Sequence, residues 1–102
     1  MATIHYPDWK EKVVFAPDRP RPQVLMENER LKVVLAGLEA GQKIPPHPEV
    51  QGVFTVLEGN GWMVLDAERI PISQGTIVYA PPGSVRGFEA TTRLVFLAVR
   101  VT

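Results

Sequence analysis

Cysteine is absent from the chain and histidine occurs twice, as His5 and His47. The first absence excludes disulfides, thiol nucleophiles and cysteine-ligated zinc, so a metal would have to rest on imidazole, carboxylate or amide groups. An excess of charge of either sign is missing too: eleven basic and eleven acidic residues give a formal net charge of zero, with Lys and Arg dispersed along the chain. That balance argues against a nucleic-acid partner. The most basic stretch, Asp18 to Pro22, sets Arg19 and Arg21 among prolines and reads as a stiff, solvated, polyproline-like arm. No apolar run approaches a membrane span, and the first ten residues lack the basic and apolar regions of a signal peptide. The expectation is a soluble cytoplasmic protein with no membrane partner.

What the chain does contain is short apolar runs separated by turn residues. At 102 residues it suits one domain, in which roughly two-thirds of the unfolded surface is buried on folding. Strands are predicted at Val24 to Glu27, Leu31 to Leu38, Val53 to Glu58, Trp62 to Asp66, Arg69 to Ile72, Thr76 to Ala80 and Leu94 to Val101. Gly, Asn, Ser and Pro are frequent in the gaps between them, and no stretch carries a capped helical stripe. The fold class is therefore all-β. Leu31 to Leu38 and Leu94 to Ala98 are apolar at nearly every position, so both should be buried on two faces. Val13 to Phe15 reads as a further strand, detached by the proline arm and placed to pair with a second copy of the chain in a homodimer. His5, Tyr6 and Trp9 are expected to pack on that second subunit.

Two glycine-punctuated segments carry the sharper signal. In the first, Gly41 is followed after five residues by His47, then Pro48 and Glu49, and the segment runs through Val56, Leu57 and Glu58 to Gly59. In the second, Gly75 is followed after five residues by Pro81, Pro82 and Gly83, then Arg86 and Ala90. Glycines permit positive-φ turns and the Pro-Pro-Gly run fixes a tight corner.

These spacings resemble the two motifs of the cupin superfamily over roughly residues 31–101, in the manner of a small single-domain, RmlC-like cupin whose metal-binding motifs are degenerate. The resemblance implies a double-stranded β-helix, or jelly-roll barrel, as a single domain over 1–102, with residues 1–22 as an N-terminal arm and strand and 31–101 as the barrel. Members of the family hold a metal with three histidines and a glutamate. Here His47 stands at the first histidine, Glu49 at the second and Arg86 at the third, while Gly52, Val53 or Phe54 falls where the glutamate belongs. Ala90 replaces the asparagine that ends the second motif.

In an extended segment residues 47 and 49 point the same way, so His47 and Glu49 can both face the barrel interior. Two donors make a weak metal site, and a permanent guanidinium at the next position weakens it further. Only a contribution from His5 or Glu89 would strengthen it. Two other arrangements use the same side chains. Arg86 pairs internally with Glu49 while His47 closes the polar end of the barrel, or Arg86 grips a carboxylate or phosphate on a small ligand with His47 as hydrogen-bond partner or general base. Gln51 and Tyr79 are further candidates for ligand contact. Phe54, Trp62, Met63, Tyr79, Phe88 and Phe96 are expected in the core, Tyr79 being the one whose hydroxyl needs a polar partner.

The leading expectation is a cupin that binds a small polar or anionic molecule in its barrel, with no cofactor and no catalytic metal. The alternatives are a metal-dependent enzyme resembling cupin dioxygenases, isomerases or decarboxylases, with a divalent metal on His47 and Glu49, and a metal-free epimerase-like enzyme with His47 as base and Tyr79 as acid. Barrels of this kind host unrelated activities, so the site has to decide among them.

Overall fold

The computed structural model describes residues 4–102. Nine strands form two antiparallel sheets: β1 (Gln23–Glu27), β2 (Leu31–Leu38), β3 (Lys43–Pro48), β4 (Gln51–Glu58), β5 (Asn60–Leu65), β6 (Glu68–Ser73), β7 (Ile77–Ala80), β8 (Val85–Ala90) and β9 (Leu94–Val101). One sheet has the order β1-β2-β9-β4-β7 and the other β3-β8-β5-β6. β2 pairs with β9 in unbroken register from Leu31 opposite Val101 to Leu38 opposite Leu94. No helix among the described residues is long and apolar enough to cross a membrane.

Alternation along these strands places Val34, Ala36, Leu38, Phe54, Val56, Leu94, Phe96 and Ala98 on the inner face of the larger sheet, against Met63, Ile72, Phe88 and Ala90 from the smaller one. Phe88 and Phe96 stack across the gap with centroids 4.0 Å apart, and Phe54 meets them at 5.3 and 6.1 Å. Met63, Phe54, Phe88 and Phe96 are core residues as expected. Trp62 instead lies half-buried beneath the Arg69 guanidinium, 4.0 Å from its ring, and Tyr79 is exposed.

Two strands were not legible in the sequence, and each explains the other. β3 reads Lys-Ile-Pro-Pro-His-Pro, and prolines withhold ladder donors. The strand survives because it lies at a sheet edge and its pairing with β8 is interrupted between Ile44 and His47, where Pro45 and Pro46 stand. On β8 the prolines meet Gly87: a Cβ there would sit 2.5 Å from the Ile44 carbonyl oxygen and 2.8 Å from the Pro46 nitrogen, so the irregular backbone can approach only a glycine.

The expected strand at Val13 to Phe15 does not form. The segment crosses the outer face of the larger sheet above Gly37, whose missing side chain leaves room for Val13 and Phe15. Ahead of it lies a single 3-10 turn, Trp9–Glu11. Tyr6 donates its hydroxyl to the Leu25 carbonyl of its own chain, and Tyr6 and Trp9 line a groove with Leu25, Val33 and Leu97. The N-terminal residues thus cover their own barrel, which is why Leu35 and Val95, on the outer face, are fully buried. Burial of β2 and β9 on two faces holds, with the chain's own arm as the second cover.

Candidate functional site

At one end of the barrel a cavity of about 60 Å³ opens between the sheets, walled by Phe54, Phe88, Phe96 and Ile44 and bordered by His47, Glu49, Arg86 and Arg100. Strand pairing assembles it. β3 and β8 set His47 opposite Arg86. Glu49 follows directly on β3, and the Pro81 to Ser84 corner holds it there, because the Gly83 N–H donates to the Glu49 carbonyl at 2.8 Å. Both glycine-rich motifs therefore meet at this residue.

Arg86 is 3% exposed, the one charged side chain in the core among the described residues. Alternation puts it there: Arg86, Phe88 and Ala90 share the inward face of β8. Its Nη2 donates to the Val50 carbonyl, its guanidinium carbon lies 5.5 Å from the Phe54 ring centroid, and its buried Nη1 has no hydrogen-bond partner. Burial lowers the Arg86 pKa from its ordinary value; the charge of Glu49 opposes that shift and the charge of Arg100 adds to it.

Glu49 does not pair with Arg86. Its Oε2 lies 3.4 Å from Arg100 Nη1 and 3.4 Å from His47 Nε2. The expected internal Arg86–Glu49 bridge is therefore replaced by one to Arg100, a residue the sequence reading missed. A signal for it existed: Leu94, Phe96, Ala98 and Arg100 are spaced by two along β9, so the core-facing series ends on the arginine. His47 Nδ1 lies 3.0 Å from the Pro45 carbonyl oxygen, an acceptor only, so this contact is a hydrogen bond in the tautomer that protonates Nδ1. The opposite contact, Nε2 to Glu49, is a hydrogen bond only when that nitrogen is protonated as well. The imidazole itself is half-exposed at the mouth.

Gln51 and Tyr79 do not join the site. Tyr79 pairs in register with Val53 on the outer face of the larger sheet, 55% exposed, and donates its hydroxyl to Gln51 Oε1 at 3.0 Å. One face of β7 carries Val78 and Ala80 inward, so Tyr79 points out. This separates it from His47 and removes the acid–base pair that an epimerase-like reaction in the cavity would use. His5 is exposed and Glu89 bonds Arg69 at 3.0 Å; neither lines the cavity.

The donor set does not fit the metal that the cupin motifs imply. The cavity offers His47 and Glu49 as lone-pair donors, but Glu49 is engaged by Arg100 and two guanidinium groups share the space. Among the described residues no three His, Asp or Glu side chains converge on a point. Hard or borderline divalent cations need several converging oxygen or nitrogen ligands, and fixed positive charge opposes them.

Against known proteins, the cupin domain family matches residues 34–100. An RmlC-like cupin protein from Desulfovibrio desulfuricans is 30% identical, with a TM-score of 0.83 over 99% of this chain and 96% of that one. A conserved protein of unknown function from Streptococcus pyogenes is 21% identical, with a TM-score of 0.86 over 100% of this chain and 90% of its own. The salicylate 1,2-dioxygenase of Pseudoaminobacter salicylatoxidans shares the fold at 22% identity and a TM-score of 0.70, over 80% of this chain but 26% of the dioxygenase. No curated protein matches. With two sheets closed into a jelly-roll barrel, the two glycine motifs joined where Gly83 bonds Glu49, and the family match spanning β2 to β9, the chain belongs to the cupin domain family.

Proposed function

We propose that this cupin binds a small anionic molecule in its barrel cavity, with Arg86 as the anchor and without a catalytic metal. The observation that carries this reading is the buried Nη1 of Arg86, which has no partner although the residue is 3% exposed. A buried cation with no hydrogen-bonded counter-charge is costly, and an incoming carboxylate or phosphate oxygen would supply the missing acceptor together with a negative charge. Arg100 adds positive potential at the rim, and His47 can donate a further hydrogen bond from Nε2 when protonated.

The test is a thermal-shift panel of sodium acetate, propionate and phosphate on the wild type and on Arg86→Met, which keeps the volume of the side chain and removes its charge. The wild type should gain stability with at least one anion, and Arg86→Met should gain none while keeping its circular dichroism. Equal shifts in both proteins would dispose of Arg86 as the anchor.

We further propose that the protein is a homodimer joined through the outer face of its larger sheet. Strand register sets Ile77 beside Thr55, and Tyr79 beside Val53 and then Val99, in neighbouring rows. Ile77 is 68% exposed, Tyr79 55% and Val53 39%, which leaves an apolar strip on one side of the barrel.

A further inference from the structure

We infer that the anion taken by this cavity is a monocarboxylate with a short apolar chain, its head on Arg86 Nη1 and its tail against Phe54, Phe88 and Phe96. This rests on the anion-binding reading above and narrows it to one ligand class. Three observations lead there.

The first is charge. Arg86 and Arg100 contribute two positive charges at the cavity and Glu49 one negative, so these three residues leave a single positive charge for a monoanion to balance. A phosphate dianion would overshoot it. The second is the supply of donors. Nη2 is committed to the Val50 carbonyl, which fixes the guanidinium plane and leaves Nη1 as the one unpartnered buried side-chain polar atom among the described residues. A carboxylate head can be satisfied by Nη1 with help from the rim. A phosphate would place three acceptor oxygens against walls of Val34, Ile44 and three phenylalanines that donate nothing.

The third is size and lining. A cavity of about 60 Å³ holds roughly four to six non-hydrogen atoms, counting about 10–15 Å³ for each water-sized group. That is the span from acetate to butyrate. The Phe54 ring centroid lies 5.5 Å from the Arg86 guanidinium carbon and 5.3 Å from the Phe88 centroid, and both rings line the cavity, so the guanidinium and an aromatic wall lie within the span of a short chain.

Isothermal titration of the wild type with formate, acetate, propionate, butyrate and inorganic phosphate tests this without any variant. Affinity should rise about fourfold per methylene along the carboxylate series until the cavity is full, and phosphate should bind more weakly than propionate. Ala98→Val, which narrows the wall, should move the best fit to a shorter acid. Arg86→Met should abolish binding of all of them. If phosphate binds more tightly than propionate and Arg86→Met abolishes that binding, the monocarboxylate assignment falls while the anion site stands. Affinity that does not change with chain length overturns the tail contact and with it the assignment. Absence of binding by every anion overturns both readings.

Discussion

The carboxylate of Glu49 reaches Arg100, Oε2 to Nη1 at 3.4 Å, and leaves Arg86 facing the cavity with a backbone carbonyl as its only partner. One rim cation is thus neutralised by the protein while the buried one is kept for something else. Glu49→Gln preserves shape and removes the charge. It should tighten propionate binding by roughly fivefold, about 1 kcal/mol, a value already reduced for the partial exposure of the pair. Titration calorimetry on both proteins measures it; unchanged affinity would mean that Glu49 does not set the potential of the cavity.

The turn between β4 and β5 should be far less tolerant than the turn before β7. Gly59 has φ +81° and a Cβ there would lie 1.7 Å from the Arg93 carbonyl oxygen, whereas Gly75 has φ +90° and open space around it. Gly75→Ala carries the conformational cost alone, about 1 kcal/mol. Gly59→Ala adds displacement of backbone at the start of β9 and should cost about 3 kcal/mol or more. Urea midpoints of the two variants decide the matter, and equal losses would contradict the close approach of Gly59 to residues 92 and 93.

The exposed strip on the larger sheet leads to a prediction about assembly. Wild-type protein should sediment as a dimer, and the double variant Ile77→Lys, Tyr79→Lys should sediment as a folded monomer, because two buried, unpaired ammonium groups on each side would oppose association. A wild type that remains monomeric at high micromolar concentration would rule the interface out.

A pH dependence follows from the clamp between β9 and the end of β2. Arg93 donates to Glu39 through Nε at 2.8 Å and Nη2 at 3.2 Å and lies 4.0 Å above the Phe15 ring, tying the N-terminal arm to the barrel. The Arg93 hydrogen bond holds the Glu39 carboxyl below the ordinary carboxylate range. The folded value is the lower one, so the contribution is present above the unfolded value near 4.3 and is lost as pH falls through the folded value. Arg93 is exposed and Glu39 partly so, and the effect should be small. Chemical denaturation of wild type and Glu39→Gln should therefore differ near neutral pH and converge as pH falls through the lowered folded value; a constant difference would assign the loss to packing.

Much of the barrel is written locally. β2 and β9 begin and end where apolar runs do, and Gly41, Gly59, Gly75 and Gly83 all adopt the positive φ that their motif positions suggest. β3 and β8 escaped because Pro45, Pro46 and Gly87 are poor strand residues taken singly; they form strands only against each other. Within the site, His47, Glu49 and Arg86 line one cavity, as the resemblance to the cupin motifs implied. Tyr79 and Gln51 do not, because a strand's alternation is visible in sequence but the side that faces the core is not.

The amino-acid sequence by itself determined the all-β class and the two turn frameworks, since these depend on backbone preferences and a period of two, and its likeness to the cupin motifs implied a histidine, a glutamate and an arginine at one barrel end. Tertiary structure alone decided the pairing of the charges. Arg86 finds the Val50 carbonyl across 36 positions and Glu49 finds Arg100 across 51, contacts set by how β3, β8 and β9 close around the cavity. Coulomb attraction does not distinguish one arginine from another in an extended chain; only the closed barrel places one beside the carboxylate and buries the other without it.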